Sequence, residues 1–292
     1  MTTSRAGSGP PSGSASASSP APAPSATWDP EQYLRHAAPR ARPLHELLAR
    51  VPELPGEPAP RIADLGCGPG GPSLPLAERW PGVRLTGYDS SPAMLAEAAE
   101  HAGRTAGGGE LDFRQADLAA WKPGPGERFD LLFSNAAFQW VPGHTGLFPA
   151  WVDSLAPGGV LAFQVPGNFG APSHTLLAGL CTSPRWRDRL GGCVRGEPVL
   201  GPEGYCAALA PLGCEVDAWE TTYLHLLPGE DAVLDWVRGT ALRPVFTALE
   251  DDPEAREEFV AEYAELLREA YPRRPYGTPF PFRRIFVVAV RG

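Results

Sequence analysis

Between residues 61 and 165, short apolar runs alternate with amphipathic stretches, and this pattern narrows the possible folds more than anything else in the chain. Strands are expected at 61–65, 83–88, 111–115, 129–134 and 160–165. Helices are expected between them, at 74–80, from Ser91-Pro92 through Met94, Leu95 and Ala98, and near 147–155, with a turn at Pro157-Gly158-Gly159. Strands that feed helices at this spacing pair in parallel, with helices on both faces of the sheet. The last third changes character: one long strand at 213–227, helices at 231–242 and 253–271, and a β-branched closing strand at 282–290. The expected fold is therefore α/β, a doubly wound and mostly parallel seven-stranded sheet. It carries a helical lid inserted at about 228–280 and an antiparallel final strand.

Residues 1–26 are almost wholly Ser, Ala, Pro, Gly and Thr, with Arg5 the one charge. Such a segment cannot bury enough apolar surface to offset its ordering entropy, so it is expected to be a disordered tail before one domain at 27–292. Within 28–50, Leu44, Leu47 and Leu48 recur at helical spacing, and Pro43 suits a first turn. The net charge of −9 argues against nucleic acid, whose phosphates call for a basic surface. No apolar run approaches the roughly 20 residues of a membrane span. Cys67, Cys181, Cys193, Cys206 and Cys214 are odd in number and form no CxxC pair; they suit small buried hydrophobes in a reducing cytoplasm, with no metal site.

The most informative stretch is Asp64-Leu65-Gly66-Cys67-Gly68-Pro69-Gly70-Gly71, a glycine turn between a strand and a helix. Gly66, Gly68 and Gly71 satisfy the GxGxxG spacing of NAD sites, and a structural βα turn is a common alternative. Asp64 discriminates: a carboxylate here repels a pyrophosphate but suits a ligand carrying an ammonium and a sulfonium. Asp89 ends the second strand, where a carboxylate can accept both ribose hydroxyls, and Asp117 follows the third, within reach of an adenine amino group. Singly each acid is more often a loop residue or a cap; three after consecutive strands on one sheet edge point to a nucleoside ligand.

DLGCGPG, GYDSSPAML, QADL, FDLLFSNAAFQWV and LAPGG together resemble the motif series of the Rossmann-like class I methyltransferases. The wider pattern resembles the trans-aconitate 2-methyltransferase family: WDPEQYL and RARPLHELL near the start, SNAAFQWVP, TTYLHLLPGEDAVLDWVRGTALRP in the lid and FPFRRIFVVAV at the end. Two departures stand out. Gly71-Pro72 replaces the family's usual Asn-Ser, and Pro75 makes the following helix start irregular. The resemblance implies methyl transfer from S-adenosylmethionine to a carboxylate of trans-aconitate, giving a monomethyl ester in a cytoplasmic monomer or weak homodimer. It implies donor binding by Asp64, Gly66, Gly68, Gly70, Asp89, Ser90, Met94, Asp117, Leu118 and Asn135.

For the acceptor, Gln139 and Trp140 follow the fourth strand at the ligand-binding edge, and Trp140 can wall a sulfonium by a cation–π contact. Phe138 beside them is expected in the core. A polycarboxylate calls for arginine forks, with Arg243 at the end of a lid helix and Arg283 and Arg284 before the last strand as candidates. Alternation puts Arg283 and Arg284 on opposite faces and Tyr223 and His225 on the same one. Arg40 and Arg42 are further options. A carboxylate is ionised at neutral pH, so no general base is required and none is evident. Competing readings are a methyltransferase for another acid or phenol, an NAD-dependent oxidoreductase, and a non-catalytic donor-binding protein.

Overall fold

The computed structural model describes residues 37–194 and 199–292, so the expected tail and the stretch around Trp28 lie outside the described residues. Helix α1 (Ala37–Arg50) leads into β1 (Arg61–Leu65), α2 (Leu74–Arg79), β2 (Arg84–Asp89), α3 (Pro92–Ala98) and β3 (Gly103–Arg104). Then come β4 (Glu110–Gln115), β5 (Phe129–Asn135), α4 (Phe148–Asp153), β6 (Leu155–Pro166), α5 (Pro172–Cys181), α6 (Arg187–Leu190) and α7 (Pro202–Leu209). The chain closes with β7 (Cys214–Leu227), α8 (Ala232–Arg238), α9 (Arg243–Ala248), α10 (Pro253–Ala270) and β8 (Thr278–Arg291).

One sheet carries all the strands, in the order β3-β4-β2-β1-β5-β6-β8-β7. Strands β4, β2, β1, β5 and β6 are parallel, and β8 runs antiparallel between β6 and β7, as the closing strand was expected to do. There are eight strands rather than the expected seven. The addition is the two-residue β3, antiparallel on β4, too short for an alternating pattern to announce it. The Pro157–Gly159 turn becomes an excursion within β6. Phe129 pairs with Leu155 and Leu131 already with Val160, with Gly158 at φ +74° absorbing the reversal.

Strand alternation sorts the core into two faces. Leu65, Leu132, Phe163, Val165 and Val287 face one way, against Phe148 and Trp151 of α4 and Tyr205 of α7; Phe138 is fully buried among them, as expected. Ile62, Leu85, Leu131, Phe133 and Phe286 face the other way, against Leu44, Leu47 and Leu48 of α1. A third cluster belongs to the lid: Trp236 and Val237 of α8, Val245 of α9, and Phe259 and Tyr263 of α10 pack with Cys181, Trp186, Phe280 and Phe282.

The helical insertion between β7 and β8 is larger in space than in sequence, because α5 and α6, which come before β7, pack into it as well. Residues 172–181 carry no charge, so no polar stripe betrays the helix from sequence. Two expectations need correction. The expected helix at 231–242 stops at Arg238, before Gly239, and Pro244 at the first turn starts a new one, which moves Arg243 from a helix end to a helix start. Pro43 lies inside α1, since the helix begins at Ala37.

Helix α1 is tied to the edge strand β7 by one carboxylate. Glu46 accepts from Tyr223 OH at 2.5 Å, Thr221 Oγ1 at 2.8 Å and Trp219 Nε1 at 3.4 Å, all from alternate residues of β7. Burial alone would raise the Glu46 pKa, but these three bonds outweigh it and hold the carboxyl below its ordinary value. Glu46→Ala is expected to lower unfolding stability by about 2 kcal/mol, the range for hydrogen bonds to a charged group, read as a lower urea midpoint at unchanged slope. An unchanged midpoint would show that the tie contributes nothing.

Candidate active site

The strand order reverses between β1, which pairs with β2, and β5 on its other side, so the crevice opens at the carboxyl ends of these strands. The glycine turn sits here with Gly66 at φ +83°, Gly68 at +56° and Gly70 at +78°. A side chain at Gly66 would meet the Ala137 Cβ at 2.2 Å, so glycine is required for the turn to abut the loop after β5. A Cβ at Gly68 would meet nothing within 4 Å, which leaves the backbone open to a ligand from that side. Ser134 Oγ donates to Leu65 O at 2.7 Å and locks the two strand ends together.

Asp64 is the next-to-last residue of β1, and Asp89 and Asp117 lie at or just after the carboxyl ends of β2 and β4. Asp89 sits at the end of β2, where its Oδ2 accepts from Gly68 N at 3.0 Å and its Oδ1 from Ser91 N at 2.9 Å. These bonds pre-orient a carboxylate that still has lone pairs for a ligand. Ser90 follows it, its carbonyl held by Gln115 Nε2, and Met94 is buried with its N–H capped by Ser91 Oγ. Asp117 follows β4, Oδ1 accepting from Ala119 N at 2.9 Å, and Leu118 lies buried under Gly66. Asp64 differs: it is 2% exposed, beneath the turn, and accepts from Ser73 Oγ at 2.5 Å. Burial pushes its carboxyl up to about 7, opposed by the Ser73 bond and reinforced by the negative charge of Asp89. Ser73 was missed from sequence because it lies past two prolines and glycines, where a partner nine residues away leaves no pattern.

A cavity of about 230 Å³ continues from Asn135 under the lid. Its sheet side holds Asn135, Ala136, Gln139, Trp140, Gln164 and Arg284. Ala136 has φ +58°, the one described non-glycine residue with a positive φ, and this strain sits where the loop turns into the cavity. Gln139 Nε2 donates to Ala136 O at 2.5 Å, which fixes the amide orientation. Its Oε1 is buried with no hydrogen-bond partner among the described residues. Gln164 Nε2 donates to Asn135 Oδ1 at 2.5 Å and its Oε1 accepts from Arg284 Nη1 at 3.3 Å. Arg284 is 7% exposed, and its guanidinium lies 4.7 Å over the Phe282 ring.

The other acceptor candidates fall elsewhere. Arg283 points to the opposite face, bonded to Glu220 at 2.5 and 2.9 Å and to Gly167 O, outside this cavity. Arg243 is half-buried and does not line it, although the adjacent Pro244 and Val245 do. Tyr223 is turned towards Glu46 and Arg42, and the Arg42 guanidinium stacks 4.9 Å over its ring. His225 shares that face and stacks on the cavity residue Trp236 at 4.8 Å. Gln164 and His174 also line the cavity; sequence gave no sign of either, since one reads as a strand residue and the other as a helix residue. Among the described residues there is no cluster able to hold a metal, and no helix is long and apolar enough to cross a membrane.

These features fit a nucleoside donor without a pyrophosphate: an open glycine, a pre-oriented carboxylate at the end of β2 and a buried acid under the turn. The comparisons agree. Residues 62–159 match the family model described as a methyltransferase domain. A trans-aconitate 2-methyltransferase from Streptomyces coelicolor is 63% identical over 90% of this chain and 86% of its own. That from Rhodococcus jostii is 49% identical over 90% and 98%, and that from Mycobacterium tuberculosis strain H37Ra is 45% identical over 91% and 97%. Among solved structures, the YcgJ protein of Bacillus subtilis matches in fold with a TM-score of 0.52 at 16% identity, over 85% of this chain and 98% of that one. The chain therefore belongs to the trans-aconitate 2-methyltransferase family, within the class I S-adenosylmethionine-dependent methyltransferases.

Proposed function

We propose that this protein methylates one carboxylate of trans-aconitate, giving the monomethyl ester. The observation that carries the reading is Arg284, a buried guanidinium in the cavity that opens beside the glycine turn. The relatives that bear this activity in their names support it. The donor, when bound, supplies an electrophilic methyl group on a sulfonium. Asp89 accepts from the ribose hydroxyls, Asp117 from the adenine amino group, and the Gly66–Gly70 backbone cradles the chain between them. Met94 and Leu118 pack against the nucleoside. Gln139 Oε1, a buried acceptor fixed in orientation, takes an N–H of the donor's ammonium beside Asn135. Trp140 walls the methyl group from water.

On the acceptor side Arg284 pairs with a carboxylate that does not react, and this holds the reacting oxygen in line with the methyl carbon. The nucleophile is already ionised at neutral pH, so the protein's contribution is orientation and exclusion of water. The domain that does this is 27–292, acting in the cytoplasm as a monomer or weak homodimer. The charge of −9 is consistent with a small-molecule partner and not a nucleic acid.

The test is purified protein with isotope-labelled adenosylmethionine against di- and tricarboxylates and phenols. The expected product is a trans-aconitate monomethyl ester; labelling of phenols alone would overturn the reading. Asp89→Ala should weaken adenosylhomocysteine binding by about 1.5–3 kcal/mol, the range for a lost charged hydrogen bond. Unchanged affinity by calorimetry in the folded variant would remove Asp89 from the donor site.

A further inference from the structure

Gln164 is 1% exposed in the middle of the sheet, where β6 pairs with β5 on one side and β8 on the other. A primary amide buried there costs free energy unless its ends are bonded. Both ends are bonded, to unlike partners: Oε1 accepts from Arg284 Nη1 at 3.3 Å, and Nε2 donates to Asn135 Oδ1 at 2.5 Å. The Gln164 carbonyl also accepts from Ala136 N at 2.9 Å, at the residue held at φ +58°. One residue of β6 thus grips both the loop after β5 and the buried guanidinium.

The sense of these bonds is fixed by chemistry. A guanidinium offers N–H groups and no acceptor, so Arg284 takes only the oxygen of the Gln164 amide. The amide nitrogen then faces Asn135, which can answer only with Oδ1. This leaves the Asn135 Nδ2 hydrogens for a ligand at the edge of the cavity. Gln139 has the reverse polarity, with Nε2 committed to Ala136 O and Oε1 buried without a partner among the described residues. An N–H amide beside an oxygen-presenting amide matches the carboxylate and ammonium of an amino acid, the methionine end of the methyl donor.

We propose that Gln164 is a positioning residue: it presets the Asn135 amide so that Nδ2 meets the methyl donor's carboxylate. This rests on the reading of Asn135 and Gln139 under the proposed function, and adds Gln164 and the sense of each bond to it. In Arg284→Ala the Gln164–Asn135 pair can take either sense and the ligand's carboxylate selects the productive one, so affinity changes by no more than about twofold. Only a change at Gln164 itself imposes the wrong sense.

The experiment is calorimetry on the full chain with S-adenosylhomocysteine and with methylthioadenosine, which has the nucleoside and thioether but no amino-acid end. In Gln164→Glu the new carboxylate, kept ionised by the guanidinium, accepts from Arg284 and has no N–H for Asn135. Asn135 then turns its amide over and sets Oδ1 against the ligand's carboxylate. Adenosylhomocysteine affinity is expected to fall by about tenfold or more, as for a lost hydrogen bond to a charged group, while methylthioadenosine stays within about twofold of wild type. Gln164→Met fills the space but leaves Asn135 unheld, and should give a smaller selective loss of about fivefold. Equal losses of both ligands in these variants mark a loosened sheet and overturn the proposal, as does unchanged adenosylhomocysteine affinity. If Gln164→Glu does not fold, Gln164→Met decides by the same criterion. Asn135→Ala separates the proposal from the reading beneath it. Selective loss there, beside unchanged Gln164 variants, overturns only the positioning role; no loss there removes Asn135 from the methyl-donor site and overturns both.

Discussion

Arg284→Ala should reduce kcat/KM for trans-aconitate by a factor of about 10²–10³, while adenosylhomocysteine binds with wild-type affinity. The size follows from the geometry. Arg284 is 7% exposed, so on the proposed reading removing its side chain leaves a substrate carboxylate without that counter-charge, a loss in the range of about 2–5 kcal/mol. Gln164, which accepts from Arg284 Nη1, would also lose a partner. Arg284→Lys should recover part of the activity, because a point charge replaces the charge but not the planar fork. Arg283→Ala is the internal control. Its side chain is on the opposite face and salt-bridged to Glu220, where an exposed pair contributes little, so kcat/KM should stay within about twofold. If Arg284→Ala and Arg283→Ala behave alike in steady-state assays, the acceptor does not sit in this cavity.

The second large effect is on stability against pH and comes from Asp64. Burial pushes its carboxyl up to about 7 in the folded state, from an ordinary value of 3.8. Between those values the native state holds a proton that the unfolded chain has released. Stability from this group is therefore fully present below about pH 4 and is lost as pH rises through about 7. The full swing is on the order of 4 kcal/mol, from roughly three pKa units at 1.36 kcal/mol each. Asp64→Asn is expected to remove this dependence: urea unfolding at pH 5 and pH 8 should show the wild type losing about 3 kcal/mol relative to the variant, from the two pH units crossed between pH 5 and 7. A cationic donor above Asp64 favours its ionised form, so donor binding near pH 7 should release a proton, seen in calorimetry as a binding heat that varies with the buffer's ionisation enthalpy. Parallel stability profiles for wild type and variant would place the Asp64 pKa at its ordinary value.

The glycine turn and the acids proposed for the donor were legible in the sequence because they are built from short-range pattern. A strand end, a glycine turn and an acid after each of three strands must converge once the sheet is parallel, and Asp89 does meet Gly68 at the switch point. Strand alternation likewise separated Arg283 from Arg284 and put Tyr223 beside His225. It did not say which arginine faces the cavity, because that depends on which face the lid covers. The acceptor side resisted for the same reason. Its walls come from α5, α8 and α9, with α6, α7 and all of β7 lying in sequence between the first and the other two, and their apolar residues look like ordinary core until the helices are placed. Arg243 illustrates the gap: LRP marks a helix boundary, but whether that boundary ends one helix or begins the next was decided by Gly239 and Pro244.

The place of β8 in the sheet bears on how the chain is made. The last 14-residue strand is an interior one, pairing along its length with β7 and through seven residues with β6. Until residue 291 has left the ribosome, β6 and β7 therefore each present an unpaired edge, and such edges are templates for pairing with another chain. A chain lacking residues 283–292 keeps only the first five residues of β8 and has no Arg284. The strand that joins β7 to the parallel sheet is thus the same one that delivers the cavity's guanidinium, so the closure of two strand edges and the placing of Arg284 are one event.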